Sequence, residues 1–416
     1  MSTSSEHEFL TLDDFDFRGK TVLLRVDFNS PVDPETKKIL DDSRIREHAE
    51  TIRELSSKGA RMVILAHQGR PGDPDFIPLE QHAKILARIL KRQVSYVNDV
   101  FGEKAVTAIK WLKDDEILVL ENVRTYEDET VEKPVAEQAK TPMVQSLAPL
   151  TDIFVNDAFG AAHRGHVSMI GFAGVLPTAA GRVMERELKA LKKVVGKPEK
   201  PCVYILGGAK AKDSVGIAEY VLGKGIADNV LTVGLVGHLF LSARRYDVGS
   251  ANRALLEKKG FMEQVSRAED LLNRFGGQVK TPVDLAVDIK GKRSEISLMQ
   301  LPTEHPIKDI GAKTTEGFRK IIGDAKTIVM NGSAGVFEEK PFIKGTKAIL
   351  TAISKSKGFG MVGGGHTLAA AHKLNLINKI SFVSTAGGAL IDYLTGKKLP
   401  AVEALKEAAV RYRKGK

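Results

Sequence analysis

Short, almost wholly apolar runs alternate along the first half of the chain with longer segments whose apolar residues recur every three or four positions. The runs are TVLLRV (Thr21–Val26), RMVILA (Arg61–Ala66), EILVL (Glu116–Leu120) and DIFV (Asp152–Val155), with amphipathic stretches such as Arg44–Ser57 and Leu79–Leu90 between them. Strands that are apolar on both faces and separated by helices predict a parallel sheet covered on each side. The second half repeats the theme, but its apolar runs end in glycines: VYIL before Gly207, LTV before Gly234, TIVM before Asn331-Gly332, GMV before Gly363, and FVSTA before Gly387. Between the halves, Val183, Met184, Leu188 and Leu191 fall at helical spacing among good helix formers. This predicts a helix over Leu176–Lys193 that joins two domains, the alternative being an ordinary surface helix inside one domain. The expected architecture is therefore α/β: two Rossmann-like domains, each a parallel sheet flanked by helices, joined by a hinge helix. The boundaries follow as 1–175, 176–193 and 194–398, and Leu399–Arg413 reads as a further amphipathic helix after Pro400.

Size supports the division, since 416 residues exceed what one core normally organises. The start of the chain is acidic and polar, with no cationic and apolar signal core, and no apolar run reaches the roughly 18 residues a membrane span requires. The expectation is a cytoplasmic protein without a membrane partner. Cys202 is the sole cysteine, which removes an intramolecular disulfide and a thiolate metal cluster from consideration. The net charge of +10 is unevenly placed: 23 Lys and Arg face 29 Asp and Glu through Arg182, and 39 face 23 beyond it. A basic second half attracts polyphosphates or is simply a lysine-rich solvated surface. No helix-turn-helix, zinc finger or aromatic RNA-binding signature accompanies it, so no nucleic-acid partner is expected.

Candidate chemistry collects where parallel sheets bind ligands, at the carboxyl ends of the strands. The first predicted strand runs into Arg25-Val26-Asp27-Phe28-Asn29, the second into His67-Gln68-Gly69-Arg70, the third into Glu121-Asn122-Val123-Arg124, and the fourth into Asn156-Asp157 and on to His163-Arg164-Gly165-His166. A cation after each of several strands makes a converging cluster, and the planar guanidinium fork suits phosphate and carboxylate oxygens. Asp27 and Asn29 are suited to a small substrate's hydroxyl. Any one of these residues taken alone is more often a loop salt bridge; the agreement of four strand ends is what singles them out. In the second half the strand–glycine–helix junctions point free backbone N–H groups and a positive helix end at anions. Lys210, after Gly207-Gly208-Ala209, is suited to reach a transferring phosphate, and a generic glycine turn carrying a surface lysine explains it equally well. Neither a Walker sequence nor a dinucleotide fingerprint is present, and the protein-kinase motifs are absent as well. Glycines used only for tight packing are the competing explanation.

In order, RVDFNSP, HQGRP, LENVR, NDAFGAAHRGH, GGAK, DIGAKT, NGSAGVFE, GGGHT and STAGGA closely resemble the motifs of the phosphoglycerate kinase family, from about Leu10 to the C-terminus. The resemblance implies a two-domain kinase that interconverts 1,3-bisphosphoglycerate and ADP with 3-phosphoglycerate and ATP, using Mg2+. It implies glycerate binding by the first domain, nucleotide binding by the second, a hinge that closes them, and a C-terminal segment, here 399–416, that packs back on the first domain. Carried over by motif, Asp27 and Asn29 hold the glycerate hydroxyl and carboxylate region, while His67, Arg70, Arg124 and Arg164 grip its charged ends. Arg44 and Lys210 meet the transferring phosphoryl group. Glu338 accepts from the ribose hydroxyls, Asn331 and Thr367 line the phosphate path, and Gly207, Gly208, Gly234, Gly363, Gly364, Gly365, Gly387 and Gly388 supply close backbone approach and helix-end N–H groups. Phosphoryl transfer needs positioning and charge neutralisation more than covalent chemistry, so no nucleophile or general base is required.

Three departures from the family pattern resemble its archaeal branch. His366 stands for the usual Asp in GGGDT, and imidazole suits Mg2+ poorly, which leaves the protein-side metal ligand unassigned. Ser214 replaces a common second lysine four positions after Lys210, with Lys212 as a possible substitute. Ser333 and Met330 stand where proline and tryptophan are common. Two other functions compete: a nucleotide-binding, RNA-associated protein that has lost catalysis, and a kinase for a different acyl phosphate. The completeness of both motif sets argues against the first. Monomer and homodimer are both compatible with the sequence.

Overall fold

A computed structural model describes residues 8–415. The chain divides into two compact units: the first comprises the chain up to Leu188 together with the C-terminal stretch from Lys398, and the second comprises Lys189–Lys397. In the first unit six strands, β1 (Thr21–Arg25), β2 (Arg61–Leu65), β3 (Ser95–Tyr96), β4 (Ile117–Val119), β5 (Ile153–Asn156) and β6 (Thr178–Ala180), form one sheet in the order β3-β4-β2-β1-β5-β6. Every pairing is parallel. β1 is buried along its whole length, and Val22, Leu24, Ile64, Val119 and Val155 pack with Ile45, Ile52 and Leu55 of the helix Ser43–Ser57. Each such side chain contributes about 1.5–3 kcal/mol through removal from water, which is why the apolar runs become the sheet's centre.

The second unit contains β7 (Cys202–Leu206), β8 (Asn229–Thr232), β9 (Val279–Lys280), β10 (Asp284–Ile289), β11 (Lys292–Ser297), β12 (Ile307–Ile310), β13 (Thr327–Asn331), β14 (Phe359–Gly363) and β15 (Phe382–Val383). Six of them make a parallel sheet in the order β15-β14-β13-β7-β8-β9, the doubly wound order in which the chain turns back at β7 and β13. β10, β11 and β12 form a separate antiparallel sheet that the apolar runs do not announce. The reason lies in its patterning: β11, KRSEIS, has no buried position, and the β10–β11 hairpin turns through Lys290 and Gly291, both at positive φ.

The expected helix over Leu176–Lys193 requires correction. Thr178–Ala180 is the edge strand β6, paired with Phe154–Asn156 of β5, and the α-helix covers Arg182–Leu191 before a π-helical turn at Lys192–Gly196. The start is set by Asp157, whose Oδ1 accepts the N–H groups of Val183 at 2.8 Å and Met184 at 3.3 Å, capping the first turn. Upstream, Pro177 has no N–H to give a helix, and the Ala180 N–H is taken by the carbonyl of Leu10. The chain passes from one unit to the other within this helix.

Candidate functional site

In the first unit the loops after β1, β2, β4 and β5 supply one cluster. Asp27, two residues past β1, is buried, and its carboxylate meets the Arg44 guanidinium at 2.5 Å. Arg44 lies in the first turn of the helix Ser43–Ser57, and Gly160 leaves room for the pair: a Cβ there would sit 2.4 Å from Asp27 Oδ2. Burial alone would raise the Asp27 pKa, but the Arg44 guanidinium, with Arg25 behind it, holds it well below the ordinary carboxylate range. Asn29 donates its N–H to Asp27 Oδ1 and accepts the Gly69 N–H at 2.8 Å, which ties the β1 loop to the β2 loop.

His67, just past β2, is buried. Arg25 Nη2 lies 3.1 Å from its Nδ1, and a guanidinium can only donate, so Nδ1 accepts and the ring proton sits on Nε2. Burial keeps His67 uncharged, against the pull of Asp27 and aided by Arg25, Arg124 and Arg164. Arg124 is buried, donates to the carbonyl of Gly69, and is lowered to about 10 by burial, Arg164 and Arg25. His166 is lowered to about 3 by burial and by the same three arginines. Arg70 adds to the field at Arg124. The guanidiniums of Arg25, Arg70, Arg124 and Arg164 thus repel one another at the ends of parallel strands and hold the neighbouring imidazoles neutral, an arrangement that an anion of two or more charges would relieve.

Asp27, Asn29, Arg44, His67, Arg70, Arg124 and Arg164 all belong to this cluster. Sequence reasoning placed Arg25 at the end of the first strand but missed the groups that hold it there. Arg25 is 1% exposed; its Nε donates to Ser168 Oγ at 2.8 Å, and Ser168 in turn donates to the buried Glu129 at 2.6 Å. Arg25 stood in the RVDFN motif, but nothing in the local sequence pairs it with a glutamate a hundred residues away.

In the second unit the sharp turns meet where the strand order reverses. Gly207 follows β7 and donates to the carbonyl of Asn331, the last residue of β13, at 2.9 Å. Gly332 has φ +99, and a Cβ on it would lie 2.1 Å from the Gly207 carbonyl carbon, so two backbones touch here and only glycine fits. Thr367 Oγ1 accepts the Gly332 N–H at 2.8 Å, and a Cβ on Gly364 would lie 2.6 Å from Asn331 Oδ1. Gly363, Gly364 and Gly365 lead into the helix Gly365–Lys373, and Gly387 and Gly388 open the helix Gly387–Leu394; Gly365, Gly387 and Gly388 are exposed. Each helix start offers N–H groups without intrahelical partners.

Gly208, Gly234, Glu338 and His366 line a cavity of about 180 Å³ with Leu235, Ala334, Val336 and Phe337 among its walls. Its apolar sides and glycine floor suit a flat heterocycle, and the exposed Glu338 stands at its margin. Lys210 precedes the helix Ala211–Gly223, is exposed, and has its ammonium 3.9 Å from Asp213. Ser214 faces the glycine turn, donating to the Gly207 carbonyl at 3.1 Å, whereas Lys212 lines a different groove beside Glu219, Tyr220 and Arg267. No group of three or more His, Cys, Asp or Glu side chains able to hold a metal ion occurs among the described residues, and no described helix is long and apolar enough to cross a membrane.

Fold and site define an α/β protein of two units, one presenting a cationic cluster for a small anion and the other glycine-lined helix starts of the kind that receive phosphates. The sequence profile of the family described as phosphoglycerate kinase matches residues 12–397. The phosphoglycerate kinase of Methanobacterium bryantii is 50% identical over 406 residues, which span 98% of this chain and 99% of that protein. The crystal structure of the Pyrococcus horikoshii OT3 phosphoglycerate kinase is similar with a TM-score of 0.88 and 41% identity, covering 97% of this chain and 99% of that one. For the Coxiella burnetii phosphoglycerate kinase the TM-score is 0.81 at 33% identity, with 96% and 100% covered. The chain belongs to the phosphoglycerate kinase family.

Proposed function

We propose that the chain transfers a phosphoryl group reversibly between 1,3-bisphosphoglycerate and ADP, giving 3-phosphoglycerate and ATP. The observation that carries this reading is the first unit's cluster, in which Asp27 paired with Arg44, Asn29 bonded to the Gly69 N–H, His67 held by Arg25, and Arg124 bonded to the Gly69 carbonyl converge at the ends of parallel strands. A ligand with a carboxylate or acyl phosphate at one end and a phosphate at the other matches it. In this reading Arg70, Arg124, Arg164 and the Nε2–H of His67 hold the charged ends, while Asp27 and Asn29 hold the hydroxyl and carboxylate region.

The second unit takes the nucleotide: Gly208 and Gly234 against the base, Glu338 at the ribose, and Asn331, Thr367 and the helix starts at Gly363–Gly365 and Gly387–Gly388 along the phosphates, with Gly207 shaping the turn. The exposed His366 suits Mg2+ poorly, so a magnesium ion brought by the nucleotide would be held by the nucleotide more than by this side chain and would supply neutralisation of phosphate charge. Arg44 and Lys210 are assigned to the oxygens of the group in transit, where charge is redistributed. The acyl phosphate is itself a reactive donor: its P–O bond to the acyl oxygen breaks as the bond to the ADP terminal oxygen forms. The protein's task is therefore to align the two and exclude water. The compartment in this reading is the cytoplasm.

The test is a coupled assay in which ATP and 3-phosphoglycerate drive NADH oxidation through glyceraldehyde-phosphate dehydrogenase. Turnover that requires both substrates is expected. Tight nucleotide binding without turnover would favour the binding-protein alternative, and turnover with another carboxylic acid but not 3-phosphoglycerate would favour a different acyl phosphate.

A further inference from the structure

We infer that His48 is a positioning residue for the acid-binding site, fixing the loop that carries Asp27 and Asn29 and hanging that loop on the carboxylate that starts the helix Arg182–Leu191. The inference rests on the assignment of Asp27 and Asn29 as substrate contacts.

His48 lies one turn after Arg44 on the helix Ser43–Ser57, so both side chains leave the same face. It is 2% exposed. The Asp27 backbone N–H points at its Nε2, 3.1 Å away. An amide N–H only donates, so Nε2 must be unprotonated, and the ring proton resides on Nδ1. That proton is given to Asp157 Oδ2 at 2.8 Å. The other oxygen of Asp157, which is fully buried, accepts the N–H groups of Val183 and Met184. A single line of hydrogen bonds therefore runs from Asp27 through His48 and Asp157 to the first turn of the helix within which the chain leaves the unit. Asp27 is gripped twice from adjacent turns: Arg44 holds its carboxylate, and His48 holds its backbone. Asn29 hangs on the same loop through Asp27 Oδ1. Nothing places His48 against the substrate; it acts through Asp27.

Two variants separate the two hydrogen bonds. In His48→Gln the amide extends to the place of Nε2 and can accept from Asp27, whereas in His48→Asn the shorter amide reaches the place of Nδ1 and can serve only Asp157. Both are assayed in the full chain by the coupled reaction, alongside thermal melting. The expected result is a KM for 3-phosphoglycerate raised about tenfold or more in His48→Asn, within the roughly 10²-fold that an ångström of misplacement costs, and kept within about threefold in His48→Gln. The KM for ATP should be unmoved in both. In the wild-type chain a long-range 15N–1H spectrum should show the Nδ1–H tautomer. Equal KM values in the two variants, losses that merely follow their melting temperatures, or an Nε2–H tautomer would overturn the role. A wild-type chain inert toward 3-phosphoglycerate would instead sink the functional assignment, and this role with it.

Discussion

Within one cationic cluster, individual arginines are placed for different tasks. Arg124 is buried and clamped to the Gly69 carbonyl, so under the proposed function it presents a fixed charge to a part of the ligand whose own charge does not change during transfer. Such a contact stabilises bound substrate and transition state alike. Arg44 is half-buried at the start of its helix and shares its guanidinium with Asp27, and the proposed function assigns its remaining N–H groups to an oxygen whose charge grows as the phosphoryl group moves. Uniform binding sets KM, and binding confined to the transition state sets kcat. Arg124→Ala should accordingly raise the KM for 3-phosphoglycerate by at least about tenfold, the worth of one charge-assisted hydrogen bond, with a smaller change in turnover. Arg44→Ala should lower kcat by roughly 10³-fold or more, the lower range for an arginine that meets phosphoryl groups in transit. Initial rates at saturating substrate decide between them, with melting curves to check folding, because Arg44→Ala also strips a buried carboxylate of its partner. Matching KM changes with unaltered kcat in both variants would remove Arg44 from the transfer step.

At the level of elements, the boundary between strand and helix at Ala180–Arg182 turns on one carboxylate and one missing side chain. A Cβ on Gly181 would stand 2.2 Å from Asp157 Oδ1, the atom that caps the helix. Gly181→Ala should therefore cost roughly 2–4 kcal/mol, combining a lost cap with local overpacking. Urea denaturation followed by circular dichroism measures it, and a change below about 0.5 kcal/mol would show that Asp157 does not set the helix start. This junction also shows where the sequence stops being legible. The central strands could be read because burial on both faces leaves a continuous apolar run, as in VLL of β1 and VYIL of β7. Thr178–Ala180 could not, since three small residues beside helix formers carry no strand signal; their state depends on pairing with β5. The hairpin of β10 and β11 was hidden for a different reason: β10 buries Leu285, Ala286 and Val287, but KRSEIS of β11 has no buried position and so carries no apolar strand signal. In the candidate site, the arginines at strand ends were legible as repeated cations after apolar runs. His48, Glu129 and Ser168 were not, because each lies in an unremarkable stretch and acquires its partner from 21 to 143 positions away.

For the molecule as a whole, the first unit is built from both ends of the chain. The helix Pro400–Lys414 buries Ala401, Val402, Ala404, Leu405, Ala408 and Ala409 within that unit. Its Ala401 N–H is bonded to the Ala162 carbonyl at 3.1 Å, in the loop that carries Arg164, and Tyr412 packs 4.9 Å from the Phe15 ring. Arg411 donates to the carbonyl of Ala173. Deleting residues from Lys398 onward would expose Val402 and Leu405 and the surfaces they cover, a loss on the order of 3–6 kcal/mol at about 1.5–3 kcal/mol for each large side chain. That is a large share of the roughly 5–15 kcal/mol that holds a typical domain folded. The second unit, Lys189–Lys397, contributes no strand to the first sheet and retains its own doubly wound core. The shortened chain should therefore show two calorimetric transitions, with the first unit's lowered steeply or lost and the second's unchanged. Titration calorimetry should find ADP binding preserved within about threefold, an affinity change of less than 1 kcal/mol, while 3-phosphoglycerate binding disappears. Loss of both affinities together would mean that the nucleotide site depends on the first unit, and the division of ligands between the two would have to be abandoned.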